Sequence, residues 1–192
     1  MQVCRLSATD LACRRGDRLL FSGLSLALGP GQALQVTGPN GVGKSSLLRL
    51  LAGLMRPFAG RVDVAGGIGL VDERTALDPH LPLGKALAFW QRIDGAADAQ
   101  LARLGLTDLL DVPVRYLSTG QKKRASLARL LGQAVPVWLL DEPLNGLDRD
   151  AVALAEALVA EHCAGGGICL VASHQPFRLP GMAQIAIADY AA

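Results

Sequence analysis

Gly38-Pro39-Asn40-Gly41-Val42-Gly43-Lys44-Ser45 carries the spacing G-x-x-x-x-G-K-[ST], a pattern suited to cradling a polyphosphate. The glycines let the main chain fold closely round an anion. Its amide N–H groups then aim at phosphate oxygens, helped by the positive end of the dipole of the helix that follows, and Ser46 belongs with the cofactor-binding residues. Lys44 can reach the β- and γ-phosphates, and the Ser45 hydroxyl can ligate Mg²⁺. A second group of reactive residues closes the apolar run Val137-Trp138-Leu139-Leu140, which ends in Asp141-Glu142-Pro143. Asp141 is placed to hold the shell of a Mg²⁺ ion, and Glu142 to orient or deprotonate the water that attacks a γ-phosphate. In Leu117-Ser118-Thr119-Gly120-Gln121, Ser118 is a natural N-cap and Gln121, three residues on, completes a capping box. The following Lys122-Lys123-Arg124 reads as the wet face of that helix.

These residues need elements to hold them. Ala33 to Val36 reads as a strand feeding the glycine loop, and Leu47, Leu48, Leu50, Leu51 and Leu54 recur at helical spacing after it, with Arg56-Pro57-Phe58-Ala59-Gly60 as the stop. Upstream, turn signals at Arg15-Gly16-Asp17 and Gly29-Pro30-Gly31-Gln32 predict an antiparallel opening of small strands. From about residue 75 to 134 the pattern is helical, with breaks at Asp94-Gly95 and Asp111-Val112-Pro113. Val137 to Leu140 and Ile168 to Ala172 read as buried strands flanking an amphipathic helix from Asp150 to His162. Strand, helix and strand in that order imply a parallel sheet covered by helices, an α/β fold.

Composition narrows the function further. A chain of 192 residues fits one domain, expected to comprise a core lobe of about 1–73 and 135–192 and an inserted helical lobe of about 74–134. The net charge of +2 offers no broad basic field for nucleic acid, so no nucleic-acid partner is expected. Hydrophobic residues make up 51%, yet no run approaches the roughly 20 apolar residues that span a bilayer. No secretory signal is legible at the start, so a cytoplasmic location is expected. Cys4, Cys13, Cys163 and Cys169 lack zinc-ligand spacing and read as reduced, buried small residues, while His80 and His162 read as surface residues.

The order of motifs resembles the ABC-family ATPases across nearly the whole chain: phosphate loop, LSTGQ, LLDEP, Leu144-Asn145-Gly146-Leu147-Asp148 and a late Ser173-His174. The resemblance implies a P-loop NTPase of ABC-ATPase type. Its mainly parallel sheet carries an N-terminal antiparallel β subdomain and an inserted helical subdomain. It implies ATP and Mg²⁺ at the loop, His174 against the γ-phosphate, and a head-to-tail homodimer in which Ser118, Gly120 and Gln121 of one copy close over nucleotide held by the other. Phrases such as Leu20-Phe21-Ser22-Gly23-Leu24-Ser25 and Gly38-Pro39-Asn40-Gly41 look like the haem-exporter, or cytochrome c maturation, branch of that family. That branch implies integral membrane subunits as partners on the cytoplasmic face of a bacterial inner membrane.

Two departures stand out. The junction into the helical lobe reads Leu70-Val71-Asp72-Glu73-Arg74, without the family's usual glutamine, leaving Glu73 or Arg74 as the polar lever. Arg15 stands where an aromatic ring commonly stacks on adenine, so its planar guanidinium would have to stack instead and base selectivity should be loose. Other readings are an ATPase of another ABC importer or exporter, a non-hydrolysing ABC scaffold, and a soluble ABC machine. A P-loop kinase would have no use for LSTGQ.

Overall fold

The computed structural model describes residues 4–94 and 99–191; Gly95, one of the expected helix breaks, lies outside them. Strands β1 (Arg5–Arg15) and β2 (Arg18–Leu28) form an antiparallel hairpin that turns at Gly16 and Asp17. Each is 11 residues long, not the small strand the sequence suggests. Their inward alternation is interrupted by a register shift between Ala8 and Leu11, where Asp10 takes φ 49°, and this bulge hides the continuity of β1 from a period-two reading.

β3 (Ala33–Thr37) leads through the glycine loop into α1 (Lys44–Leu51). That helix ends earlier than the spacing of leucines suggests. Gly53 takes φ 72° just past the C-cap Ala52, so Leu54 falls outside the helix and is 68% exposed. Ala59 and Gly60 do not merely stop a helix but open β4 (Ala59–Ala65), which pairs with the free side of β1. β5 (Ile68–Val71) then begins the second sheet.

That sheet has the order β5-β6-β7-β3-β8, every neighbour parallel, with β6 (Val137–Asp141), β7 (Ile168–Ala172) and β8 (Ala183–Ala186). Between β5 and β6 lie α2 (Leu83–Asp94), α3 (Ala99–Arg103) and α4 (Thr119–Gly132), and α5 (Arg149–Ala164) joins β6 to β7. Every residue of β6 and β7 is buried, as a sheet covered on both faces requires. Trp138, Leu140, Cys169 and Val171 face the core shared with α2, α4 and α5, while Val137, Leu139, Ile168 and Leu170 face α1 and the antiparallel sheet.

Cys4, Cys13, Cys163 and Cys169 are buried thiols. His162 corrects the expectation of a surface residue. It is half-buried and stacked on Trp138 with ring centroids 3.8 Å apart, its Nε2 3.2 Å from the carbonyls of Pro136 and Ile168. His80 is exposed, with Nδ1 3.2 Å from Arg115. Among the described residues, no helix is long and apolar enough to cross a membrane.

Candidate active site

Because β6, β7 and β3 are parallel neighbours, the turns leaving their C-terminal ends meet at one edge of the sheet, where ligands bind in open α/β sheets. Lys44 at the start of α1, Asp141 and Glu142 at the end of β6, and His174 beyond β7 converge there. Lys44 Nζ donates to the carbonyls of Gly38 at 2.8 Å and Pro39 at 3.2 Å, and lies 3.4 Å from Glu142 Oε1. His174 Nδ1 is 2.8 Å from Glu142 Oε2. The Glu142 carboxylate thus meets an ammonium on one oxygen and an imidazole on the other.

The loop's shape explains its glycines. Gly38 at φ 145° and Gly43 at φ 119° lie where L side chains are strained, and a Cβ on Gly43 would press against the Phe21 ring at 3.2 Å. Gly41, at φ 80°, borders the cleft with Asn40, while Val42 packs into the core beneath it. The cleft has a volume of about 580 Å³, and its walls include Lys44, Ser45, Ser46, Arg15, Glu73 and Glu142. Arg18, directly opposite Arg15 across the β1–β2 hairpin, also lines it, a residue the sequence did not single out. Of the two candidates at the junction, Glu73 forms cleft wall, whereas the neighbouring Asp72 accepts from the Arg74 main-chain N–H and pairs with Arg49.

Glu142 is held in an unusual conformation. Its φ of 45° is rare for a residue with a side chain and costs on the order of 1–3 kcal/mol. The N–H of Glu142 donates to the carbonyl of Ala172 at 2.8 Å, and its carboxylate is fixed by Lys44 and His174, so the turn is constrained from three sides. His174 is positioned in turn by the loop after it. Gln35, buried in β3, donates to the Gln175 carbonyl at 2.7 Å and accepts from the Phe177 N–H.

Asp141 is 4% exposed and its Oδ1 has no hydrogen-bond partner. Burial pushes its carboxyl above the usual range and the Glu142 charge adds to that, while the Ser45 hydroxyl and Lys123 pull it back. An unpartnered buried carboxylate oxygen beside a serine hydroxyl is the donor set that a hard divalent cation takes.

Ser118, Gly120 and Gln121 are elsewhere. The Ser118 Oγ accepts from the Gln121 N–H at 3.2 Å and Gln121 Oε1 accepts from the Ser118 N–H at 2.8 Å, the capping box that the sequence predicts. Gly120 packs so closely on Gly146 that a Cβ there would collide with the Gly146 carbonyl. None of the three lines the cleft of its own chain. The run Lys122-Lys123-Arg124 is not the wet face expected of it: Lys123 is buried at 8% exposure and donates to the Asp141 carbonyl at 3.3 Å, and Arg124 donates to the Leu104 carbonyl.

The sequence model of the ABC transporter family matches residues 21–145, which include the phosphate loop, LSTGQ and the paired acids. The chain belongs to the ABC transporter family. Within it, the chain is 57% identical over 190 residues to the cytochrome c biogenesis ATP-binding export protein CcmA of Novosphingobium aromaticivorans, covering 99% of each chain. It is 51% identical to the protein of the same name from Sphingopyxis alaskensis, covering 94% of this chain and 95% of that one. A solved metal-chelate type ABC transporter, in an inward-facing conformation, superposes with a TM-score of 0.80 at 25% identity, over 96% of this chain and 80% of the other. This ABC protein therefore groups with the cytochrome c biogenesis export proteins, a family whose general activity is ATP hydrolysis.

Proposed function

We propose that this chain is the ATP-driven subunit of a haem-exporting cytochrome c maturation system. It would act as a head-to-tail homodimer, bridged by ATP, on integral membrane subunits at the cytoplasmic face of a bacterial inner membrane. The observation that carries the reading is the division of the site. One chain supplies Lys44, Glu142 and His174 together, while Ser118, Gly120 and Gln121 sit away from that cleft, with Ser118 exposed. A second copy turned end for end would bring those donors over the open side of the nucleotide. The whole chain acts as one domain, with a helical lobe of about 74–134 inserted in a core lobe.

Gly38 to Gly43 and Ser46 would wrap the phosphates, Lys44 would neutralise the β- and γ-phosphates, and Arg15 would stack on the base. Asp141 and Ser45 fit Mg²⁺, which when bound supplies charge neutralisation at the phosphates. Glu142 accepts a proton from, or aligns, the attacking water. With Glu142 ionised, the 2.8 Å contact places a proton on His174 Nδ1, and Nε2 would donate to the γ-phosphate only with the ring doubly protonated. Lys44, 3.4 Å from Glu142 Oε1, stands between that carboxylate and the loop and would reach the β- and γ-phosphates.

Glu142→Gln tests the assignment. The variant keeps shape and phosphate cradle but not the base, so turnover should fall by about 100-fold or more while Mg-ATP binding stays within a few-fold. It should accumulate as a dimer in Mg-ATP by light scattering. Equal turnover by both proteins would remove Glu142 from its role, and co-purification with membrane subunits unrelated to cytochrome c maturation would redirect the transport assignment.

A further inference from the structure

Lys123 lies on α4, five residues past the Ser118 cap, in a run that reads as solvent-facing, yet it is 8% exposed. Burying an ammonium is costly unless it is compensated by hydrogen bonds and opposite charge. Among the described residues its hydrogen-bond acceptor is the main-chain carbonyl of Asp141, at 3.3 Å. That is the residue whose carboxylate carries an unpartnered oxygen into the site. Desolvation lowers the lysine's proton affinity, and four carboxylates oppose this: Asp141 first, then Asp72, Glu73 and Glu142. They come from both sides of the cleft floor, Asp72 and Glu73 beyond β5 and Asp141 and Glu142 at the end of β6.

This arrangement answers an electrostatic difficulty. Glu73 and Glu142 line a cleft that must admit a polyphosphate, and Asp141 lies just behind them. Asp141 is buried and Glu142 half-buried, so their charges are screened less than that of the exposed Glu73. Lys44, 3.4 Å from Glu142 Oε1, offsets that carboxylate from the phosphate loop, and Lys123, donating to the Asp141 carbonyl, brings a second, buried ammonium from α4.

Building on the nucleotide-site reading, we propose that Lys123 is a positioning residue of that site: its buried ammonium anchors the end of β6 through the Asp141 carbonyl and supplies the fixed positive charge that lets Glu73, Asp141 and Glu142 face a polyphosphate. The same side chain joins α4, whose N-terminal cap is the LSTGQ segment, to the strand carrying the water-orienting acid. A lysine that merely filled space on α4 would weaken every form of nucleotide equally when replaced. A charge-compensating lysine acts differently. Metal-free ATP brings only negative charge and depends on Lys123, whereas Mg-ATP brings its own compensation.

The experiment is titration calorimetry of full-length wild type, Lys123→Met, Lys123→Gln and Lys123→Arg with ATP in EDTA and with ATP in excess Mg²⁺. In Lys123→Met the ratio of the metal-free Kd to the Mg²⁺ Kd should rise by about tenfold or more over wild type. Lys123→Gln keeps a hydrogen-bond donor toward the Asp141 carbonyl without charge. It should raise the ratio as the methionine does, while Lys123→Arg should hold it near the wild-type value. If Lys123→Met fails to fold, Lys123→Gln decides the matter. A wild-type ratio in Lys123→Gln, with both constants unchanged or equally weakened, overturns the inference. A wild-type protein that binds ATP under neither condition would instead sink the nucleotide-site reading itself.

Discussion

Arg15 and Arg18 both line the cleft, and if Arg15 takes the base as proposed, its chemistry would set how the protein chooses nucleotides. Both are exposed and face each other across the hairpin, while the neighbouring Arg14 is drawn away over the Phe58 ring, 4.7 Å from its centroid. A guanidinium that stacks face to face on a base does not engage the exocyclic groups at the purine edge, so the contact is indifferent to which purine it covers. Wild-type protein should therefore bind ATP and GTP within about tenfold of each other. Replacing Arg15 by alanine should weaken both by a few-fold alike, in keeping with an exposed cation–π contact of about 0.5–1 kcal/mol. Competition binding with the two triphosphates checks this. A hundredfold preference for ATP would show that some other group reads adenine.

The elements that position the site were legible where chemistry and periodicity are local, and obscure where tertiary contacts decide. The phosphate loop, the capping box at Ser118, the buried run into Asp141 and the strand Ile168–Ala172 all follow from neighbouring residues. β4 and β8 do not, because both are short, largely exposed edge strands: Arg61-Val62-Asp63-Val64 alternates over only four residues, and β8 is four residues of small or polar side chains beside Ile185. The end of α1 at Leu51 turns on Gly53, which the leucine pattern overruns. Lys123 was missed for a related reason: α4 is packed on more than one face, so a charged residue in it carries no sign of exposure. Which junction residue enters the cleft depends on how the chain leaves β5, and only the folded chain distinguishes Glu73 from Arg74.

The end of α5 shows what that packing does at the level of an element. Burial pushes the His162 imidazole below its ordinary value near 6.5, against the carbonyls of Ile168 and Pro136, which pull it up. The folded chain then binds fewer protons than the unfolded chain just below that value. The stability from His162 is fully present above it and is lost as pH falls through the lower, folded value. Urea midpoints should drop as the pH is taken from about 8 to 5, and His162→Phe, which keeps a ring on Trp138 but cannot protonate, should flatten that slope. An unchanged slope in the variant would assign the acid sensitivity to other groups.

The proposed head-to-tail dimer makes the strongest demand on the whole molecule, because it would divide each site between two chains. Lys44→Ala spoils the cradle of its own chain, and Ser118→Arg spoils only the donors lent to the other chain, since Ser118 is absent from its own cleft. Each variant alone should be inactive, every site in its homodimer having one damaged half. Mixed together they pair at random, and each heterodimer holds one doubly damaged site and one intact site. If single intact sites turn over independently, the mixture should recover about a quarter of wild-type turnover, half the dimers carrying one good site of two. Cooperation between sites would lower that fraction without abolishing it. A side-by-side arrangement, in which each chain completed its own site, would leave the mixture as inactive as its components, so the rate of the mixture separates the two geometries.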